Sequence, residues 1–216
     1  MSAASLDDLL GHVRAVAAPG DPDAVIAAVD DFAMKHNDAM MHLGAEKGEM
    51  LDRVVTEAEP GRVLELGSFF GYSAIRMARL MVWPPRELIS LEHDRDHARI
   101  SREMIAHAGL QDIVSVVEGQ AADIIDTLDG TFDLVLVDHY AGNYRRDLVG
   151  IESRGLLHEG SVVVADNVIA HADRLDGYLD HVRGGGRYRS TLHRAQSAHR
   201  GGAEDGMEVS VWLGPT

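Results

Sequence analysis

The chain contains no cysteine and far fewer basic than acidic side chains. Its 216 residues include 20 lysines and arginines against 35 aspartates and glutamates, which gives a formal net charge of -15. Without cysteine there is no disulfide framework and no sign of an oxidising compartment. Because so acidic a surface repels phosphate backbones, a role on DNA or RNA is disfavoured.

Long apolar runs and zinc-binding spacings are also missing. No apolar segment reaches the length of a transmembrane helix, and the N-terminus lacks the apolar stretch of a secretion signal. We therefore expect a soluble, cytoplasmic protein with no membrane partner. The 12 histidines are scattered, and neither H-E-x-x-H nor C-x-x-C occurs, so no zinc motif is predicted.

A strand, a glycine turn and a helix follow one another between Arg62 and Leu80. Apolar residues precede Gly67 as in a buried strand, and after Gly71 they recur at helical spacing. Such a turn lets backbone N–H groups approach a ligand closely. The G-x-x-x-G spacing differs from the nicotinamide motif and from the P-loop, which argues against a dehydrogenase and against triphosphate binding. Glu65 lies inside the apolar strand, where a carboxylate needs a partner such as an amino group or sugar hydroxyl of a ligand.

Further polar side chains follow other predicted strands. Glu92 ends a strand 25 residues after Gly67, where acids that bind ribose are commonly found. Asp138 follows the fourth predicted strand, and Asp166 with Asn167 follows the fifth. Because the carboxyl ends of parallel strands meet at one edge of a sheet, we expect these groups together. Two carboxylates and one amide form an all-oxygen set that suits Mg²⁺.

The remaining pattern predicts alternating helices and strands. Ser5 and Asp21 are predicted helix N-caps, and Pro22 is the predicted first residue of the second helix. Further helices are expected at 95–108 and 175–182, and strands at 63–66, 87–92, 112–118, 132–137, 160–165, 188–193 and 207–213. The last two strands alternate like an antiparallel closing pair. The prediction is an α/β fold in one domain, residues 1–216, with a mostly parallel sheet.

The segment Glu65–Leu80, E-L-G-x-x-x-G-Y-S-A-x-R-M-A-R-L, resembles the first motif of the catechol O-methyltransferase family. The same family is matched in order at 39–48, 89–94, 132–139, 163–169 and 205–215, so the resemblance covers most of the chain from Pro19 onward. It implies a Rossmann-like class I methyltransferase with a seven-stranded sheet, an N-terminal helical cap (1–58) and a core (59–216). S-adenosylmethionine and Mg²⁺ are the implied cofactors, and a small catechol-like phenol is the implied acceptor. A homodimer is compatible with the sequence.

The resemblance also carries over to individual residues. Asp138, Asp166 and Asn167 match the family's metal ligands one for one, and Glu92 matches the glutamate that holds the ribose. Met41 and Leu43 match positions beside the methyl donor, although Met41 is equally well explained as a packing residue. Residues expected at the cofactor are Met41, Leu43, Glu65, Gly67, Gly71, Tyr72, Ser73, Glu92, His93, Gly119, Gln120, Ala121, Asp138 and His139.

The acceptor side departs from the family pattern. Where relatives read Asp-His-Trp-Lys, this chain has Asp138-His139-Tyr140-Ala141, so the lysine that is the family's general base is absent. His139 is the candidate replacement base. The equal alternative is that His139 only packs against the edge of the adenine. Side chains expected at the acceptor are Asn167, Tyr140 and His199, the last standing near where relatives carry a glutamate. Three interpretations stay open: an enzyme with another base, an enzyme with a different acceptor, and a cofactor-binding pseudoenzyme.

Overall fold

A seven-stranded sheet forms the centre of the structure, a computed structural model that describes residues 5–36, 42–175, 177–196 and 202–215. The strands are β1 (Arg62–Leu66), β2 (Glu87–Glu92), β3 (Val114–Glu118), β4 (Phe132–Val137), β5 (Leu157–Ala165), β6 (Tyr188–Gln196) and β7 (Glu204–Trp212). They lie in the order β3-β2-β1-β4-β5-β7-β6. Strands β1 to β5 pair in parallel, whereas β7 pairs antiparallel with both β5 and β6. The mostly parallel sheet with an antiparallel C-terminal strand is therefore confirmed.

Eight α-helices within the described ranges cover the two faces of this sheet. They are α1 (Leu6–Val16), α2 (Pro22–Lys35), α3 (Gly44–Ala58), α4 (Tyr72–Leu80), α5 (Arg95–His107), α6 (Ala121–Ile125), α7 (Tyr144–Ser153) and α8 (Tyr178–Arg183). One hydrophobic core lies between α1–α5 and the sheet, and a second lies between α6–α8 and the opposite face. None of these helices has the length and apolarity needed to cross a membrane. The result is a helix–sheet–helix sandwich.

Local sequence rules account for the first two helix starts. The Ser5 hydroxyl accepts a hydrogen bond from the Asp8 amide at 3.1 Å, and the Asp8 carboxylate accepts one from the Ser5 amide at 2.9 Å. At α2 the Asp21 carboxylate accepts from the Ala24 amide at 3.0 Å, and Pro22 occupies the first turn. Each such cap satisfies an amide that would lack a partner in the helix and stabilises it by about 1 kcal/mol. Both predicted caps are confirmed.

The element ends depart from prediction where pairing across the sheet decides them. Strand β5 begins at Leu157 rather than at residue 160, because Leu157 pairs with Phe132 across a register shift. Strands β6 and β7 both extend toward their connecting loop, with Gln196 paired to Glu204. The helix predicted at 175–182 is instead a 3-10 turn at Ala172–Arg174 followed by α8. These ends depend on partners that are distant in the chain.

The carboxyl ends of the parallel strands form one edge of the sheet. There, a backbone hydrogen bond to a neighbouring strand holds the residue that directly follows each of β1, β4 and β5. The amide of Gly67 donates to Leu91 at 2.9 Å, and that of Asp138 donates to Leu66 at 2.9 Å. The Asp166 amide donates to Val137 at 3.1 Å in the same way. Each of these residues is therefore positioned by the neighbouring strand, and the edge is rigid where a ligand would bind.

Candidate active site

A cavity of about 670 Å³ opens at this edge of the sheet. It is lined by fourteen of the residues predicted from the sequence: Leu43, Gly67, Tyr72, Ser73, Glu92, His93, Gly119, Gln120, Ala121, Asp138, His139, Tyr140, Asp166 and Asn167. Two predicted residues, Met41 and His199, lie outside the described residues. Two more, Glu65 and Gly71, lie behind the cavity wall. The volume suits a small-molecule site.

The glycine turn after β1 brings the backbone close to two neighbours. A Cβ at Gly67, whose φ is 100°, would collide with the backbone carbonyl oxygen of Asp138. A Cβ at Gly71 would lie 2.9 Å from the Ser101 hydroxyl, so Gly71 shapes the turn from behind. Between them Phe69 adopts a left-handed φ of 51°, which is unusual for a residue with a side chain. Glu59 and Arg86 adopt the same region away from the cavity, so the feature is notable at Phe69 because the residue lines the cavity.

Glu92 is held rigidly at the end of β2. Its side chain is 5% exposed, and its two oxygens accept hydrogen bonds from the amides of Phe69 at 2.7 Å and Asp94 at 2.9 Å. A carboxylate has about four acceptor positions, so two remain for a ligand. His93 beside it is largely exposed, with its Nδ1 atom 3.2 Å from Glu92. The acid predicted for ribose is thus fixed before any ligand binds.

Glu65 finds its partners inside the protein rather than in a ligand. Its fully buried carboxylate accepts hydrogen bonds from the hydroxyls of Ser73 on α4 and Ser90 on β2. Burial raises its pKa to about 7, although both hydroxyls act in the opposite direction. The partner that the sequence led us to expect from a ligand is therefore supplied by two serines. Ser73, which does line the cavity, separates Glu65 from it.

The predicted metal ligands are brought together, and a lysine joins them. The Lys47 ammonium on α3 lies 2.7 Å from an Asp166 oxygen, 3.0 Å from the Asn167 side-chain oxygen and 3.0 Å from an Asp205 oxygen. The side-chain nitrogen of Asn167 in turn donates to an Asp138 carboxylate oxygen at 3.1 Å. Only 3% of the Lys47 surface is exposed. Sequence reasoning missed Lys47, because a lysine in an amphipathic helix is normally solvated and nothing local marks this one as buried.

The charges of this cluster perturb its titration. Burial raises the pKa of Asp138, and the neighbouring Asp166 charge raises it further. Burial also raises the pKa of Asp166, although Lys47 partly offsets this. Burial by itself would lower the pKa of Lys47, but Asp166, Asp138 and Asp205 outweigh it and the pKa is raised. The three acids share one ammonium, so the cluster carries an excess of negative charge when all are ionised.

A divalent cation would balance the excess negative charge of this cluster, and one carboxylate oxygen is left over for it. The second carboxylate oxygen of Asp166 is buried and has no hydrogen-bond partner within the described residues. The backbone of Asn167 is left-handed, with φ at 58°, a conformation that asparagine adopts more readily than most residues with a side chain. Among the residues that the structure describes there is no group of three or more His, Cys, Asp or Glu side chains around a metal position. A cation here therefore depends on the Asn167 oxygen as well as on Asp138 and Asp166, an oxygen set typical of Mg²⁺.

His139 is held by an acid and an aromatic ring. Its Nε2 atom lies 2.6 Å from the Asp147 carboxylate, and its ring stacks on Tyr144 with the centroids 5.3 Å apart. Its Nδ1 atom is buried without a hydrogen-bond partner within the described part of the chain. Burial would raise the pKa of Asp147, but hydrogen bonds from His139 and Arg146 lower it. The ring has a fixed orientation and one nitrogen left for another partner.

The opposite rim of the cavity contains the predicted Tyr140 and two residues, His171 and Arg174, that sequence reasoning did not select. Tyr140 is 67% exposed at the mouth, whereas Ala141 is buried at the start of a short 3-10 turn. His171 and Arg174 line the cavity from the segment that follows Asn167. Their signal in the sequence was weak, since no periodic pattern marks the connection between β5 and α8.

Known proteins resemble this chain over most of its length. The O-methyltransferase family model matches residues 18–178. Catechol O-methyltransferase B of Danio rerio is 43% identical over 211 residues, which cover 95% of this chain and 78% of the relative. Catechol O-methyltransferase of Bos taurus is 40% identical over 211 residues, covering 95% of this chain and 76% of the relative.

A solved structure has the same fold. The O-methyltransferase TomG from Streptomyces achromogenes, crystallised with S-adenosylmethionine, matches with a TM-score of 0.70 at 26% identity, over 78% of this chain and 80% of that chain. This agreement confirms the predicted Rossmann-like class I methyltransferase fold. Together with the matches over nearly the whole sequence, it shows that this chain belongs to the O-methyltransferase family, as a member related to the catechol O-methyltransferases.

Proposed function

We propose that this protein transfers a methyl group from S-adenosylmethionine to a small catechol-like phenol and that it requires Mg²⁺. The observation that carries the proposal is one cavity with two chemically different ends. Glu92 lies at one end, at the carboxyl end of β2. Asp138, Asp166 and Asn167 line the other end, after β4 and β5. A nucleotide-like donor and a diol acceptor bound at these ends would meet between them.

The donor end is built to bind a nucleoside. Glu92 is fixed by two backbone amides and can accept hydrogen bonds from both ribose hydroxyls. The glycine turn at Gly67 allows the ligand to approach the backbone, and the sulfonium charge of the donor is compatible with the acidic wall. Gly119 and Gln120, after β3, line the outer part of the same end, where we place the adenine.

The acceptor end would orient a diol by its oxygen ligands. Asp138, Asp166 and Asn167 would hold Mg²⁺, which when bound acts as a Lewis acid and lowers the pKa of the acceptor hydroxyls. Lys47 fixes these side chains by donating to one oxygen of Asp166 at 2.7 Å and to the side-chain oxygen of Asn167 at 3.0 Å. The protein thereby positions one acceptor oxygen in line with the sulfonium methyl.

The transfer itself is a displacement that needs no covalent intermediate. The acceptor oxygen forms a bond to the methyl carbon as the carbon–sulfur bond breaks, and S-adenosylhomocysteine is the product. The hydroxyl proton must leave, and we propose His139 as its acceptor, because Asp147 orients the ring and one ring nitrogen is left over. Ala141 offers only a buried methyl group at the position of the family lysine.

That alanine also motivates a second candidate, a protein that binds the donor but transfers no methyl group. The two candidates separate in a turnover assay with a panel of catechols and in calorimetry with S-adenosylmethionine. Binding of the donor with no turnover on any catechol would favour the second candidate.

Metal removal tests the first candidate directly. We expect EDTA to abolish methyl transfer and Mg²⁺ to restore it. Asp166→Asn should lower turnover by at least about 100-fold, or about 2.7 kcal/mol, because it weakens a cation ligand. Asp129→Asn is the matched control, since the Asp129 side chain is almost fully exposed. Full turnover in thoroughly chelated enzyme would contradict the metal role.

A further inference from the structure

We infer that the natural acceptor carries an anionic group, a carboxylate attached to the phenol ring or to a short arm, and that Arg174 recognises it. The inference rests on the proposed function, since it names the class of acceptor for the same cavity. It comes from the segment between Asn167 and Arg174, which forms the wall beyond the proposed cation site.

Backbone hydrogen bonds place three cavity residues on one side of this segment. The His171 amide donates to the Asn167 carbonyl at 2.9 Å, and the Arg174 amide donates to the His171 carbonyl at 2.8 Å. The spacing is four residues and then three, which puts side chains on the same face of a helical turn. All three line the cavity.

The position of the segment in the sheet assigns Arg174 to the acceptor. It follows β5, whereas Glu92 ends β2, and two strands, β1 and β4, lie between them. The donor end therefore occupies the β1–β3 side of the cavity, and Arg174 lies on the opposite side beyond Asn167. An acceptor held by its hydroxyls near Asn167 would point its ring substituent toward this arginine.

Electrostatics explains why a positively charged side chain is needed on this wall of the cavity. The cavity wall includes the acids Glu92, Asp138 and Asp166, and the whole chain has a net charge of -15, so an anionic acceptor is repelled on approach. Among the described residues that line the cavity, Arg174 is the one lysine or arginine. A guanidinium binds a carboxylate through two parallel hydrogen bonds, which combines attraction with orientation.

The guanidinium is available for such a partner. Its ion pair within the described residues is to the adjacent Asp173, with the atoms 3.9 Å apart and the side chains 58% and 79% exposed. That separation is too long for a hydrogen bond, and an exposed pair of this kind is weak. A carboxylate ligand can therefore replace Asp173 at little cost.

The test compares two acceptors of nearly equal shape, protocatechuate, which is a catechol with a ring carboxylate, and its neutral carboxamide. Their dissociation constants are measured by calorimetry on the enzyme with S-adenosylhomocysteine and Mg²⁺, and KM and kcat are measured for both. We expect the wild type to bind the carboxylate about tenfold more tightly than the amide. Arg174→Gln should remove this preference by raising KM for protocatechuate about tenfold, with kcat little changed. Arg174→Lys should keep part of it.

Arg189→Gln is the control, because Arg189 is exposed on strand β6 and does not line the cavity. Equal binding of the two acceptors to the wild type would overturn the inference. So would an Arg174→Gln variant that loses affinity for S-adenosylhomocysteine while it still prefers the carboxylate, since Arg174 would then contact the donor. Arginine-dependent binding of protocatechuate without turnover of any catechol would refute the proposed function, and with it the acceptor role, while it supports recognition of a carboxylate by Arg174. Absence of binding by either acceptor would overturn both.

Discussion

Replacing Lys47 by methionine should lower the free energy of unfolding of the metal-free protein by about 3–5 kcal/mol, the usual cost of removing one partner of a buried ion pair. The lysine ammonium lies 2.7 Å from Asp166 and 3.0 Å from Asp205, and both carboxylates are at most 2% exposed. Two charge-assisted hydrogen bonds contribute about 1.5–3 kcal/mol each, which agrees with that range. Methionine keeps most of the apolar volume, so a cavity adds little to the loss.

The assay is equilibrium unfolding in urea with EDTA present. Lys35→Met is the matched control, since Lys35 pairs with Asp31 at 2.6 Å but is 60% exposed, and it should change stability by less than about 0.5 kcal/mol. Adding Asp205→Asn to the Lys47→Met variant should recover part of the loss, because it removes a buried negative charge left without a counter-ion. A Lys47→Met variant as stable as the control would refute the buried ion cluster and the cation fit based on it.

Three further predictions concern Glu92, Glu65 and His139. Glu92→Gln should weaken S-adenosylmethionine binding by about tenfold in calorimetry, whereas Glu118→Gln, on the neighbouring strand, should not; equal affinities would make Glu92 a structural acid only. Folding raises the pKa of Glu65 from 4.5 to about 7, so the native state binds this proton more tightly than the unfolded state does. As the pH rises from 4.5 to 7, the free energy of unfolding of the wild type should therefore fall by about 3 kcal/mol relative to that of Glu65→Gln. Urea titrations across that range check this, and a stability difference that is independent of pH would contradict it. His139→Ala should lower kcat by about 100-fold with donor affinity unchanged; wild-type turnover would show that His139 is not the base.

Much of the fold followed from local patterns in the sequence. The capping residues Ser5 and Asp21 satisfy amides within three residues, so their role is visible without tertiary structure. The apolar strands alternate with helices, and this order alone implies a parallel sheet with polar residues at its carboxyl edge. The sequence alone therefore predicts that Glu92, Asp138 and Asp166 lie together, and all three line one cavity.

Tertiary structure decided which side chains meet there. Lys47 is 119 residues from Asp166 and 158 residues from Asp205, and their contact depends on how α3 packs beside the ends of β5 and β7. Likewise the partners of Glu65 come from a different strand and helix, so its buried charge could be foreseen but not the serines that receive it. Arg174 reaches the cavity only because a chain of turns leads from Asn167 along its wall. Periodicity shows which face of an element is buried, whereas contacts between distant elements depend on packing that no local pattern encodes.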